Sequence, residues 1–132
     1  MAQAIAGSWT LDKSENYEEF LKAVGMNAIK RAMAVKLGGT LTITPVNGKL
    51  KVKSVNGPKT KEREMPIGQN FDDEGPNGGV AKGIWVEEGD KMVGTFTTEK
   101  GKKFVMTREV VKGQLVQTMD FDGTVCKRFF KK

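Results

Sequence analysis

The hydrophobic pattern changes period once along the chain. Ile5 to Leu11 alternates, with Trp9 and Leu11 on one side and Ser8 and Thr10 on the other, which predicts a strand. Tyr17, Phe20, Leu21 and Val24 then form an apolar stripe at helical spacing. Asn16 in front of it and Glu19 three residues on read as a capping box. Gly25 is a stop, because glycine tolerates a left-handed backbone. Asn27 opens a second short helix, in which Ile29, Met33 and Leu37 repeat every four residues until Gly38-Gly39. Two short helices joined by Gly25-Met26-Asn27 suit either a DNA-reading element or a lid. The all-strand remainder favours the lid.

From Thr40 the period is two. Leu41 and Ile43 alternate with threonines, Asn47-Gly48 makes a tight turn, and Leu50 and Val52 follow between lysines. Asn56-Gly57-Pro58 is a further turn, Lys59 to Ile67 a charged strand closed by Gly68. Asn77-Gly78-Gly79, Glu88-Gly89-Asp90, Lys100-Gly101, Lys112-Gly113 and Asp122-Gly123 punctuate the rest, the last four about 11 residues apart. That is the rhythm of an antiparallel meander. About ten strands result. An open sheet of that size tends to curl or split, and closure removes its edges. The pattern predicts an all-β small barrel with a two-helix insertion after its first strand, able to hold a small ligand. A two-sheet sandwich with a filled core is the alternative.

Composition narrows the chemistry. The chain has 132 residues, enough for a single domain spanning 1–132. It contains no His and one Cys, Cys126, which removes His-based triads, internal disulfides and the usual Cys/His zinc sites. The lone Cys fits a reducing, cytoplasmic compartment, and neither a membrane-length apolar run nor a secretory leader is visible. No catalytic residues, metal ligands, dinucleotide loop or acid–base pair stand at suggestive spacing, so no enzyme and no cofactor is expected. Asp72-Asp73-Glu74 beside Asn77-Gly78-Gly79 lacks the alternation of a calcium loop and reads as a solvated turn. The net charge is +6 but diffuse, with small clusters at Lys100–Lys103, Lys127-Arg128 and Lys131-Lys132. No nucleic-acid motif accompanies it. Attraction to anionic membranes is the better reading.

The informative residues are charges that share strand parity with apolar ones. Phe104, Met106, Arg108 and Val110 lie on one face of a strand, and Thr124, Cys126, Arg128 and Phe130 on one face of another. Gln117 and Met119 share a face of the strand between. If these faces look inward, Arg108 and Arg128 are guanidinium groups in an apolar interior, with no carboxylate on the same faces. Such groups are costly alone, and a ligand carboxylate is the economical partner. The alternative has either arginine facing solvent beside Glu109 or Lys127. Lys61 and Arg63 share parity with Met65 and Ile67, so the same choice, interior or solvated strand, applies to them. The methionines suit a cavity for a long chain and equally suit ordinary packing. Cys126 reads as a small buried hydrophobe.

Gly7-Ser8-Trp9-Thr10-Leu11, followed by Asn16-Tyr17-Glu18-Glu19-Phe20-Leu21, resembles the amino-terminal signature of intracellular lipid-binding proteins, the fatty-acid-binding protein family. The likeness runs from Ile5 to Lys131 and includes Gly68 with Phe71-Asp72, Thr107-Arg108-Glu109 and Val125-Cys126-Lys127-Arg128. It implies a ten-stranded antiparallel, up-and-down flattened barrel, lipocalin- or calycin-like, with a two-helix lid over about 16–37. It implies non-covalent binding and cytoplasmic transport of long-chain fatty acids or similar hydrophobic carboxylates, by a monomer, without chemistry.

By the same resemblance, placed nearest the heart, adipocyte and myelin branch, Arg108 and Arg128 are the cavity arginines. Phe130 stands where that branch has a tyrosine and lacks its hydroxyl. Pro58 stands where the heart branch has a phenylalanine gate, with Val55 nearby, and Met33 matches the second helix facing the portal. Met106, Gln117, Met119, Cys126, Tyr17, Lys61 and Arg63 complete the expected ligand-binding set. Lys22, Lys30 and Arg31 resemble basic lid residues that meet anionic membranes. A basic, membrane-clustering protein of the myelin type is the alternative function.

Overall fold

The computed structural model describes residues 2–75 and 79–132. A short 3-10 turn, Ala2–Ile5, precedes β1 (Gly7–Glu15). Two helices follow, α1 (Tyr17–Ala23) and α2 (Ala28–Lys36). Then come β2 (Thr40–Val46), β3 (Lys49–Asn56), β4 (Lys59–Pro66), β5 (Phe71–Glu74), β6 (Val80–Glu88), β7 (Lys91–Thr98), β8 (Lys103–Val111), β9 (Gln114–Phe121) and β10 (Thr124–Lys131). The expected strand at Ile5 begins two residues later. Ile5 is fully buried in the turn, where its carbonyl accepts from Trp9 Nε1 at 3.0 Å, and Gly7 (φ 127°) swings the chain into β1. The Asn77-Gly78 part of one expected turn lies outside the described residues.

The strands form one antiparallel sheet in the order β4-β3-β2-β1-β10-β9-β8-β7-β6-β5. Pairing of β1 with both β2 and β10 brings the chain ends together and curls the sheet into a nearly closed barrel, as predicted; the sandwich does not occur. Tight turns at Asn47-Gly48, Lys112-Gly113 and Asp122-Gly123 have positive φ at both residues, the geometry whose twist matches paired strands. Among the described residues the ladder is open between β4 and β5. There Lys61 meets Glu74 at 2.7 Å and Arg63 is ion-paired with Asp73. Asp73 and Glu74 are therefore residues of a strand edge and not of a solvated turn, because cations from β4 stand opposite them.

The lid is held to the barrel at its amino end. Asn16 does precede α1, but in a left-handed conformation (φ 59°) and without a capping bond. Its Nδ2 instead donates to the Val125 carbonyl at 2.8 Å, so the expected capping box is absent: the side chain is spent on β10. Asn27 does cap α2, accepting from the Lys30 amide at 2.9 Å. Phe20, Leu21 and Val24 turn into the core. The Ile29–Met33–Leu37 row, which has the spacing of a core stripe, faces solvent, with Ile29 77% and Met33 62% exposed.

The core is aromatic on one wall. Phe20 reaches Phe104 (6.2 Å between ring centroids), Phe104 reaches Phe96 (6.3 Å), and Phe96 reaches Trp85 (5.9 Å). Trp85 stands opposite Gly94 across the β6–β7 pair, and Phe96 opposite Gly83. A Cβ on Gly94 would lie 2.9 Å from Trp85 and 2.7 Å from Phe96; these glycines are the floor on which the rings rest.

Candidate functional site

The barrel encloses a cavity of about 420 Å³ beneath the lid, within the range of small-ligand sites. Its polar centre comes from a single rung of the sheet. Register places Met92, Arg108, Gln117, Arg128 and Ser14 side by side across β7, β8, β9, β10 and β1. A bulge between Leu11 and Lys13 makes this possible. It reverses the alternation of β1, so that Trp9 and Leu11 face inward before it and Ser14 joins the inner face after it.

Arg108 is buried, and its Nε donates to Gln117 Oε1 at 3.0 Å. Its guanidinium carbon lies 5.4 Å from the Trp85 ring centroid. Among the described residues no carboxylate pairs with it. Its Nη1 and the Trp85 Nε1 are both buried without a protein acceptor among the described residues. Burial, and then the charge of Arg63, push the Arg108 pKa down to about 10. The group is still a cation at neutral pH, and its only side-chain hydrogen bond among the described residues is to the neutral Gln117.

Arg128 is different. It is half-buried, stacks over Tyr17 at 4.0 Å, and donates from Nε to Ser14 Oγ at 3.1 Å. It lines the cavity and also an outer cleft between β1 and the end of α2. The two arginines expected together are thus on one rung, but only Arg108 is deep. Arg63 is a further cavity cation: half-buried, on the lining, and paired with Asp73. Burial lowers its pKa and the nearby Glu74 charge opposes that shift.

Of the other expected residues, Gln117, Met119, Met106, Tyr17 and Lys61 line the cavity. Three do not. Cys126 is on the inner face but sealed, with α1 packed on β10, and burial pushes its thiol up to about 11 against the opposing influence of Arg128. Phe130 is buried opposite Leu115 and Leu11, in the core beyond the polar rung. Met33 points to solvent from α2. Of the basic lid residues, Lys22 and Lys30 are exposed, whereas Arg31 donates from Nη1 to the Met26 carbonyl at 2.7 Å and staples the loop between the helices. Trp85 and Asp73 were missed. The alternation Ala81, Gly83, Trp85 in β6 was a legible signal for the first; the pairing that brings Asp73 to Arg63 was not.

Comparisons with known proteins agree with this architecture. The profile described as the lipocalin / cytosolic fatty-acid binding protein family matches residues 6–132. The chain is 36% identical to the intestinal fatty acid-binding protein of Mus musculus over 130 residues, covering 98% of each. It superposes on the REP1-NXSQ fatty acid transporter with a TM-score of 0.87 at 29% identity, covering 97% of this chain and 95% of that one. The fatty-acid-binding protein 1 of Echinococcus granulosus gives 0.88 at 26% identity, with 98% of both chains covered. The Mus musculus relative is an intestinal fatty acid-binding protein, as is that of Bos taurus, and these matches do not carry the narrower expectation of the heart, adipocyte and myelin branch.

Proposed function

The chain belongs to the lipocalin / cytosolic fatty-acid binding protein family, a family of carriers and not of enzymes, and on that premise we propose that it binds and transports long-chain fatty acids with the carboxylate anchored at Arg108. The observation that carries this reading is the buried Arg108 guanidinium, which has a neutral partner, Gln117, at one nitrogen and no protein acceptor at Nη1. A carboxylate seated there accepts from Arg108, and the unpartnered Trp85 N–H offers a second donor on the same lining. The acyl chain then lies along Phe20, Phe96, Phe104, Met106 and Met119. Each methylene buried contributes about 0.8 kcal/mol, so the chain supplies most of the affinity before association costs. Arg108 selects the acid over its ester.

The lid supports transient contact with anionic membranes. Ile29 and Met33 are exposed apolar side chains on α2, with exposed Lys22 and Lys30 beside them on the lid. No helix of the described residues is long and apolar enough to cross a bilayer. A monomeric cytoplasmic carrier that collides with membranes fits these features better than a membrane-clustering protein, because the cavity carries a buried cation with no carboxylate partner among the described residues.

Native mass spectrometry of the purified protein, with denaturing extraction of what it carries, tests the reading. About one long-chain fatty acid per protein is the expected result. An empty protein that also fails to take up added fatty acid rejects it.

A further inference from the structure

The cavity holds more charge than one carboxylate requires. Arg63 from β4 and Asp73 from β5 form an ion pair whose side chains are 31% and 15% exposed, and both line the same cavity as Arg108. They stand on the two strand edges that share no backbone ladder. A plain alkyl chain laid against this pair strips its water and returns no hydrogen bond, which is unfavourable for any charged pair. The pair offers a donor, the Arg63 guanidinium, and an acceptor, the Asp73 carboxylate, side by side. A hydroxyl is the neutral group that uses both, accepting from one and donating to the other. A second carboxylate would be drawn by Arg63 but repelled by Asp73.

We infer that the preferred ligand is a hydroxylated fatty acid, with its carboxylate at Arg108 and a hydroxyl along its chain at the Arg63–Asp73 pair. This rests on the fatty-acid reading of the same cavity. Arg63, Asp73 and Arg108 line one cavity of about 420 Å³, so both polar groups fall within one ligand's reach. Lys61 and Glu74, on the same lining, are paired at 2.7 Å and about half-exposed, so they satisfy one another in contact with solvent, whereas the Arg63–Asp73 pair is the more buried of the two.

The test is titration of delipidated protein with hexadecanoic acid, its positional hydroxy isomers, and hexadecanedioic acid. At least one isomer hydroxylated away from the carboxyl should bind about tenfold or more tightly than hexadecanoic acid, as expected for hydrogen bonds to charged groups. The diacid should gain nothing. Replacing the pair with apolar groups, Arg63→Met with Asp73→Leu, should abolish the hydroxy advantage while hexadecanoic acid still binds. Asp73→Asn, which keeps the side-chain shape and serves if the double variant does not fold, should remove the repulsion and give the diacid at least about tenfold over its wild-type value. No hydroxy isomer surpassing hexadecanoic acid overturns the inference and leaves the fatty-acid reading standing. So does an advantage that survives the double replacement, or a diacid unaffected by Asp73→Asn. Failure of the whole panel to bind, hexadecanoic acid included, overturns both.

Discussion

Arg108 donates to Gln117 across the β8–β9 pair at 3.0 Å, and this bond aims a buried guanidinium into the cavity without neutralising it. A side-chain amide can orient a cation but leaves its charge unpaired. The consequence is a buried charge whose desolvation the amide only partly offsets.

Arg108→Met should therefore separate binding from stability. Fatty-acid affinity is expected to fall by about 2 kcal/mol, the scale of a hydrogen bond to a charged group, whereas the methyl ester should be unaffected. The empty protein should become more stable by about 1–2 kcal/mol, since a desolvated charge is removed, and Tm should rise by a few degrees. Calorimetric titration with acid and ester, and thermal unfolding of the apo protein, provide the readouts. Equal losses for acid and ester would reject the carboxylate anchor.

The glycine floor under the aromatic wall predicts an overpacking defect. In Gly94→Ala the added methyl meets Trp85 at 2.9 Å and Phe96 at 2.7 Å, closer than packed side chains stand, so both rings must shift on the cavity wall they line. A loss of about 1–3 kcal/mol in urea unfolding is expected. Tryptophan fluorescence of the folded state should shift with it, because Trp85 must move.

The open seam between β4 and β5 should respond to acid. The Lys61 hydrogen bond holds the Glu74 pKa below its ordinary value, against the opposing effect of burial and with help from the charges of Lys61 and Arg63. A depressed carboxylate contributes stability above its unfolded pKa and loses it as pH falls through the lower folded value. The seam should thus be intact at neutral pH and loosen only below the usual carboxylate range near 4.5. Stopped-flow release of a bound fluorescent fatty acid should accelerate there, and Glu74→Gln should show the faster release already at neutral pH. Tm should hardly change in that variant, since an exposed pair adds little to stability.

The lid residues divide by contact. Lys22→Glu with Lys30→Glu should slow fatty-acid transfer to anionic vesicles several-fold and leave transfer to neutral vesicles and Tm unchanged, as both side chains are free in solvent. Arg31→Glu should behave otherwise, destabilising the helix pair through loss of its bond to the Met26 carbonyl. Transfer rates to anionic vesicles that ignore the Lys22 and Lys30 reversal would dismiss the membrane contact.

The amino-acid sequence by itself determined the strand rhythm, the paired turns at Asn47-Gly48, Lys112-Gly113 and Asp122-Gly123, the two helices, and the inward parity of Arg108. Those features depend on neighbours a few residues away, so period and turn chemistry report them. Tertiary structure alone decided the rest. The bulge before Lys13 brought Ser14 under Arg128, and Arg128 then stacked on Tyr17 instead of sinking beside Arg108. Pairing of β10 drew Asn16 away from the helix it precedes. The apolar row of α2 was left in solvent because α1 alone supplies buried side chains to the barrel. Arg63 found Asp73 only because the sheet closes on itself at a gap. Such contacts join residues distant in the chain, and barrel closure, not local periodicity, sets which of them meet.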